Sequence, residues 1–298
     1  MDNAMEINIM GTISNFLKKC DIVYPRNIQV DEAFHKDCYA DAARRGIDIE
    51  LISESLEAGI GLVDTSYHHL EHRSTQIFIA VWSGLMTHLD YQYEVYADGL
   101  KEFSTRFINQ QPQLYPVLDQ VVDMSKEFKE HWGLLGANLL HGAQLDFLSS
   151  LVIDHSIRDI EIQNSGTLRF PQFTRRVSGI GRVYAFYAFP PDLGLKDWIQ
   201  VYPDLVDYIC FVNDLLSFYM EELTGNSANC VSMGAKSKGI TKIEALKQLA
   251  DLAADSYCRG SKLLQSHPRA LDAFRSFCAG YVGSHAIGTR YKLAELGL

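Results

Sequence analysis

No proline stands between Pro25 and Pro112, and none between Pro203 and Pro268. Proline interrupts a helix because it lacks an amide hydrogen and its ring clashes with the carbonyl one turn back. Runs this long without one favour helices. Inside them apolar residues recur at helical spacing. Leu205, Ile209, Val212 and Leu216 step by three or four, as do Leu246, Leu249, Ala253 and Tyr257. The segment from Ile77 to Met86 is apolar on nearly every side and too long for an ordinary strand, so a fully buried helix is expected there. Such a helix must be enclosed by others. No run alternates with period two between turn pairs, and no repeat of solenoid length is present. The chain is therefore expected to be all-α, a single domain of about ten helices over residues 1–298. Breaks are expected near 109–113, 164–166, 189–192 and 224–229, where Gly, Pro and polar residues gather.

The 27 Lys and Arg against 37 Asp and Glu leave a net charge of −10. That balance lacks the basic face a nucleic acid or an anionic membrane demands, so neither partner is expected. It leaves room for a site that collects divalent cations. The six cysteines form no CxxC pair and read as buried free thiols of a reducing compartment. The N-terminus carries Asp2 and Glu6 and no long apolar run, unlike a secretory signal. No window reaches the ~18 apolar residues of a membrane span. A soluble, cytoplasmic protein is the expectation.

The sharpest chemical signal runs from Asn213 to Glu221. Asn213, Ser217 and Glu221 stand at i, i+4 and i+8. Each four-residue step advances only about 40° around a helix, so the three oxygen-bearing side chains share one stripe. An amide oxygen, a hydroxyl and a carboxylate are hard ligands of the kind Mg²⁺ takes. A helix with a polar face would give the same spacing. Asp90 and Glu94 form a second i, i+4 pair, directly after the buried apolar helix. Either they face a cavity of the bundle or they mark a helix end emerging into water. Asp251 and Asp255 share the spacing on an amphipathic helix and read as solvated. Arg175 and Arg176 precede two glycines, Gly179 and Gly181, that would weaken or break a helix. Arg290 and Tyr291 lie near the C-terminus. Arginine forks and a phenol suit a diphosphate, and each is also an ordinary surface group. His68-His69-Leu70-Glu71-His72 matches H-x-x-E-H, a zinc-protease pattern. That reading needs a third ligand and strands beside the site, and the sequence offers neither. A polar lead-in to the buried helix is preferred.

Together these residues resemble the fungal class I terpene synthases of the trichodiene synthase family. Arg169–Gly181 is similar to the stretch around that family's diphosphate-sensing arginine. Asn213–Glu221 is similar to its NDxxSxxxE metal motif, and Arg290-Tyr291 to its RY pair. The likeness is strongest from Arg169 onward, and the first 70 residues carry little of it.

The resemblance implies a class I terpenoid synthase fold, an α-helical bundle around a central apolar cavity. It implies up to three Mg²⁺ ions, held by Asn213, Ser217 and Glu221 on one side and by Asp90, with Glu94, on the other. Arg175, Arg290 and Tyr291 would bind diphosphate. Gly179 would present its carbonyl to the ionising carbon, with Ser178 linking it to Arg175. It also points to a homodimer. Two positions depart from the family pattern. Tyr91 stands where a second acid is usual, and Met220 where a lysine is usual.

The activity implied is Mg²⁺-dependent ionisation of farnesyl diphosphate, or another prenyl diphosphate, followed by cyclisation of the carbocation and release of diphosphate. Two alternatives remain: transfer of the cation to an external nucleophile, and a non-catalytic binder of prenyl diphosphates. A cation needs an apolar cavity with π faces. Counting back from Asp90 in fours gives Met86, Trp82 and Phe78 as its lining, and one turn before Asn213 lies Ile209. Plain core packing is the competing reading for each.

Overall fold

The computed structural model describes residues 3–25, 31–157, 169–178, 180–226 and 229–298. These form thirteen α-helices and, among the described residues, no strand. In chain order they are α1 (Asn3–Cys20), α2 (Glu32–Arg44), α3 (Ile49–Ser66), α4 (Arg73–Tyr91), α5 (Tyr93–Ile108), α6 (Pro116–Lys126) and α7 (Phe128–Ser156). Then come α8 (Phe170–Ser178), α9 (Gly181–Tyr187), α10 (Tyr202–Thr224), α11 (Cys230–Lys238), α12 (Lys242–Leu263) and α13 (Pro268–Ile287). Two short 3₁₀ segments, Thr289–Tyr291 and Leu293–Leu296, follow α13.

Local signals set the ends. Asp48 accepts hydrogen bonds from the Glu50 and Leu51 amides at the start of α3. Thr241 and Glu244 form a reciprocal capping box on α12. Pro116 and Pro268 open α6 and α13, where a missing amide hydrogen costs nothing. Gly225 and Gly239 close α10 and α11 in the left-handed conformation. The breaks expected at 109–113 and 189–192 fall between helices; α10 ends at Thr224, where the break at 224–229 begins, while 227–228 and 164–166 lie outside the described residues.

The apolar segment expected to be buried is the middle of α4, where residues 78 to 86 have almost no exposure. Helix α3 lies along it at backbone contact. A Cβ on Gly59 would sit 2.2 Å from the Ala80 carbonyl oxygen, and one on Gly84 would sit 3.0 Å from the Leu56 Cα. Helix α13 crosses the other side of α3 as closely, since a Cβ on Gly280 would meet the Thr65 carbonyl oxygen at 2.0 Å. Side chains there would force the three helices apart. All six cysteines are free thiols; Cys20, Cys38, Cys210 and Cys278 are buried, but Cys258 is exposed. Among the described residues no helix is long and apolar enough to cross a membrane.

Candidate active site

Helices α3, α4, α7, α8, α9, α10 and α13, with α11 and the start of α12 at the polar end, surround a cavity with two lobes. The inner lobe, about 670 Å³, is walled by Leu62, Met86, Phe147, Leu151, Tyr184 and Ile209 among others. The outer lobe, about 950 Å³, is polar and includes Asp214, Glu221, Cys230, Lys236 and Lys242. Asp90, Asp154, Arg175, Asn213 and Arg290 belong to both, so they form the wall the lobes share.

Asn213, Ser217 and Glu221 lie on α10 at successive turns, as their spacing predicts. The Ser217 hydroxyl donates to Glu221 Oε1 at 2.7 Å, and Arg175 donates to Asn213 Oδ1. Burial pushes the Glu221 carboxyl up to about 7, against the Ser217 hydrogen bond, with Asp214 adding to the rise. An acid raised this way sits where a positive charge would be welcome. Among the described residues no three His, Cys, Asp or Glu side chains are grouped to hold an ion by themselves. The donor set of amide, hydroxyl and carboxylate oxygens nonetheless fits Mg²⁺, which keeps water and substrate oxygens in its shell.

Arg175 lies in the last turn of α8, which packs against α7. Gly179, expected to present its carbonyl, lies outside the described residues. The Arg175 Nε stands 3.0 Å from Asp214 Oδ1, one residue past Asn213. Burial works against the arginine's charge, and Asp214 together with Cys210, Cys230 and Tyr281 outweighs it. Burial also lifts the Asp214 carboxyl above its usual range despite Arg175.

His285 on α13 fixes the other side of Asn213. Its Nδ1 lies 2.8 Å from the Tyr281 carbonyl oxygen, which can only accept. The proton therefore sits on Nδ1, and Nε2 accepts from Asn213 Nδ2 at 3.2 Å. The amide's orientation follows, with Oδ1 turned toward Arg175. Burial pushes His285 down to about 4, so the ring stays neutral.

The opposite wall departs from expectation. Asp90 and Glu94 do not share a helix, because α4 ends at Tyr91 and α5 starts at Tyr93. Asp90 lines both lobes, and loss of surrounding water raises its pKa against the pull of Arg290, His155 and Arg175. Glu94 lines neither lobe; its side chain is 75% exposed and pairs with His155 at 3.3 Å. The second acid near Asp90 is instead Asp154 on α7, pushed up to about 6 chiefly by burial and further by Asp90. Nothing in its local sequence announces it. Arg290 and Tyr291 reach the inner lobe through the first 3₁₀ segment, as expected. Lys236 on α11 brings a cation to the outer lobe, although Met220 brings none.

Met86 and Ile209 line the inner lobe. Phe78 and Trp82 do not. They pack in an aromatic cluster with Phe128, Trp132 and Tyr187, and the Trp82 indole donates to Gln144 at 2.8 Å. The reason is helical drift. Four residues overshoot one full turn by about 40°, so Trp82 is about 80° and Phe78 about 120° from Asp90. The aromatic lining comes from elsewhere: Phe147, Tyr184 and Tyr281. In the H-x-x-E-H segment, His68 and His69 each place one ring nitrogen 2.8 Å from a backbone carbonyl oxygen, those of Thr65 and Ala188.

A family model described as trichodiene synthase matches residues 16–297. The chain belongs to the trichodiene synthase family. The likeness starts far upstream of Arg169. Alpha-cuprenene synthase COP6 of Coprinopsis cinerea is 30% identical, over 99% of this chain and 91% of that protein. Among solved structures, linalool/nerolidol synthase from Streptomyces clavuligerus with 2-fluorogeranyl diphosphate superposes with a TM-score of 0.67 at 16% identity, covering 90% of this chain and 98% of that one. Isoprene synthase from grey poplar, with three Mg²⁺ ions and dimethylallyl-S-thiolodiphosphate, gives 0.61 at 16% identity, covering 85% and 54%. The fold is that of the class I terpene synthases, and the enzyme is a terpene cyclase.

Proposed function

We propose that the enzyme is a sesquiterpene cyclase that ionises farnesyl diphosphate and cyclises the resulting cation as a single domain. The observation that carries this reading is the shared wall. Hard oxygen donors and two arginines meet there, between a polar lobe and an apolar one. A substrate with an anionic head and a hydrocarbon tail fits that division. Asn213, Ser217 and Glu221 would hold Mg²⁺ on one side and Asp90, with Asp154 near it, on the other, for up to three ions. When bound, Mg²⁺ supplies Lewis-acid neutralisation of the leaving diphosphate.

Arg175 and Arg290 donate N–H groups to the diphosphate oxygens, and Tyr291 donates its hydroxyl. The allylic C–O bond breaks with both electrons going to the diphosphate oxygen, and these donors stabilise the charge that develops there. The cation left behind lies in the inner lobe. Phe147, Tyr184 and Tyr281 offer π faces, each worth about 0.5–2 kcal/mol to a cation. The surrounding aliphatic side chains keep water away until ring closure.

The test is diphosphate release from C10, C15 and C20 prenyl diphosphates, with Mg²⁺ and with a chelator. Release is expected to be fastest with the C15 substrate, to require Mg²⁺ and to be lost in Asn213→Ala. No release from any of the three would refute the proposal.

A further inference from the structure

Tyr91 occupies the place where the resemblance leads one to expect a second acid. Its side chain is part of the site. The Arg290 Cζ lies 4.5 Å from the centre of the Tyr91 ring and 5.7 Å from that of Tyr291. Among the described residues Arg290 makes no ion pair within 4 Å. The guanidinium therefore lies against both phenol rings, at the wall the lobes share, where the Asp90 carboxylate also favours its charge.

The two ways of holding an arginine have different consequences. An aspartate engages the N–H edge in a bidentate fork. That edge is the one a diphosphate needs. A ring engages the guanidinium through its face, and a phenol oxygen takes one N–H at most. Most of the donors stay available. A tyrosine also adds no negative charge to repel an incoming anion, and attracts no cation to the wall.

We propose that Tyr91 is a positioning residue that holds Arg290 as a preset diphosphate anchor, so that part of diphosphate binding needs no metal. This rests on the cavity being a prenyl diphosphate site, as argued above. The ring substitutes a metal-independent contact for the metal-binding acid absent from position 91. Asp90 and Asp154 then remain as the only carboxylates of that wall among the described residues.

The experiment is calorimetric titration of the full chain with inorganic pyrophosphate, in EDTA and in excess Mg²⁺, with thermal melts as a folding control. Tyr91 is 38% exposed at a helix end, so its variants should fold. Wild type should bind pyrophosphate in EDTA. Tyr91→Phe, which keeps the ring, should bind within about twofold of it, and Tyr91→Leu about three- to tenfold more weakly. Tyr91→Asp should bind most weakly in EDTA and recover most with Mg²⁺. In a double-mutant cycle, Tyr91→Leu should have no further effect on Arg290→Gln. Equal binding by Tyr91→Leu and wild type in EDTA would overturn the proposal. So would additive effects in the cycle, or wild-type binding only with Mg²⁺. If wild type bound no pyrophosphate in either condition, the reading of the cavity itself would fail.

Discussion

Arg175→Met removes the cation 3.0 Å from Asp214 and leaves a carboxylate whose side chain is only 9% exposed. Breaking a buried ion pair from one side costs ~3–5 kcal/mol. Arg175 keeps 23% of its side chain exposed to the cavity, so the lower end applies. Unfolding entropy is ~2.1 cal/mol/K per residue, which over 298 residues gives ~0.6 kcal/mol/K. A loss of ~3 kcal/mol then lowers Tm by about 5 °C. The pH dependence has a definite sign. Burial already raises the Asp214 pKa above its unfolded value, and losing Arg175 raises it further. A carboxyl raised by folding costs nothing while it is protonated in both states, and destabilises increasingly as pH rises through its folded pKa. The Tm deficit should therefore be larger at pH 8 than at pH 5. Arg175→Met combined with Asp214→Leu removes both charges, and an apolar pair is often neutral or stabilising in such a place. The double variant should regain most of the lost Tm yet release no diphosphate, because the anion has lost a donor. Circular-dichroism melts and a diphosphate-release assay measure both. A single variant melting within a degree of wild type at both pH values would refute the reasoning, as would a double variant no more stable than the single.

Further outcomes follow from the geometry. At pH 6 a carboxyl with pKa about 7 is roughly nine-tenths protonated, so Mg²⁺ binding should release about one proton from Glu221. Calorimetry in buffers of different ionisation enthalpy reads this, and Glu221→Gln should lower the count by about one proton, leaving what Asp154 releases. Without metal, the same raised pKa means that Glu221 destabilises the fold increasingly as pH climbs from the ordinary carboxylate range to above 7, and Mg²⁺ should reverse that loss. Trp82→Phe strands the Gln144 oxygen and should cost ~1–3 kcal/mol in chemical denaturation while leaving the product profile unchanged. Tyr184→Leu, in the cavity wall, should alter the profile. Gly280→Ala drives a Cβ into the Thr65 carbonyl oxygen and should destabilise by ~1–3 kcal/mol, read by the same melts.

The helices and one wall of the site were legible in the sequence because both depend on local periodicity. Asn213, Ser217 and Glu221 share an unbroken helix, so spacing alone put them on one stripe. The same argument failed for Glu94, because α4 ends one residue past Asp90 and the next helix turns away. It failed by degrees along α4 itself, where Met86 faces the cavity and the accumulating rotation turns Trp82 and Phe78 into the core. Asp154 and His285 stayed hidden because their partners, Asp90 and Asn213, lie far along the chain. A buried polar residue in the apolar face of α13 was the one signal that could have flagged His285. Tyr91 was visible only as a departure, and tertiary packing with Arg290 gives it a role.

The most direct measurement is product analysis by gas chromatography and mass spectrometry after incubating the protein with farnesyl diphosphate and Mg²⁺, beside Asn213→Ala and a chelated control. The account predicts a cyclic C15 hydrocarbon or alcohol from wild type alone. Linear farnesol or nerolidol as the sole product, or the same products from Asn213→Ala, would contradict it.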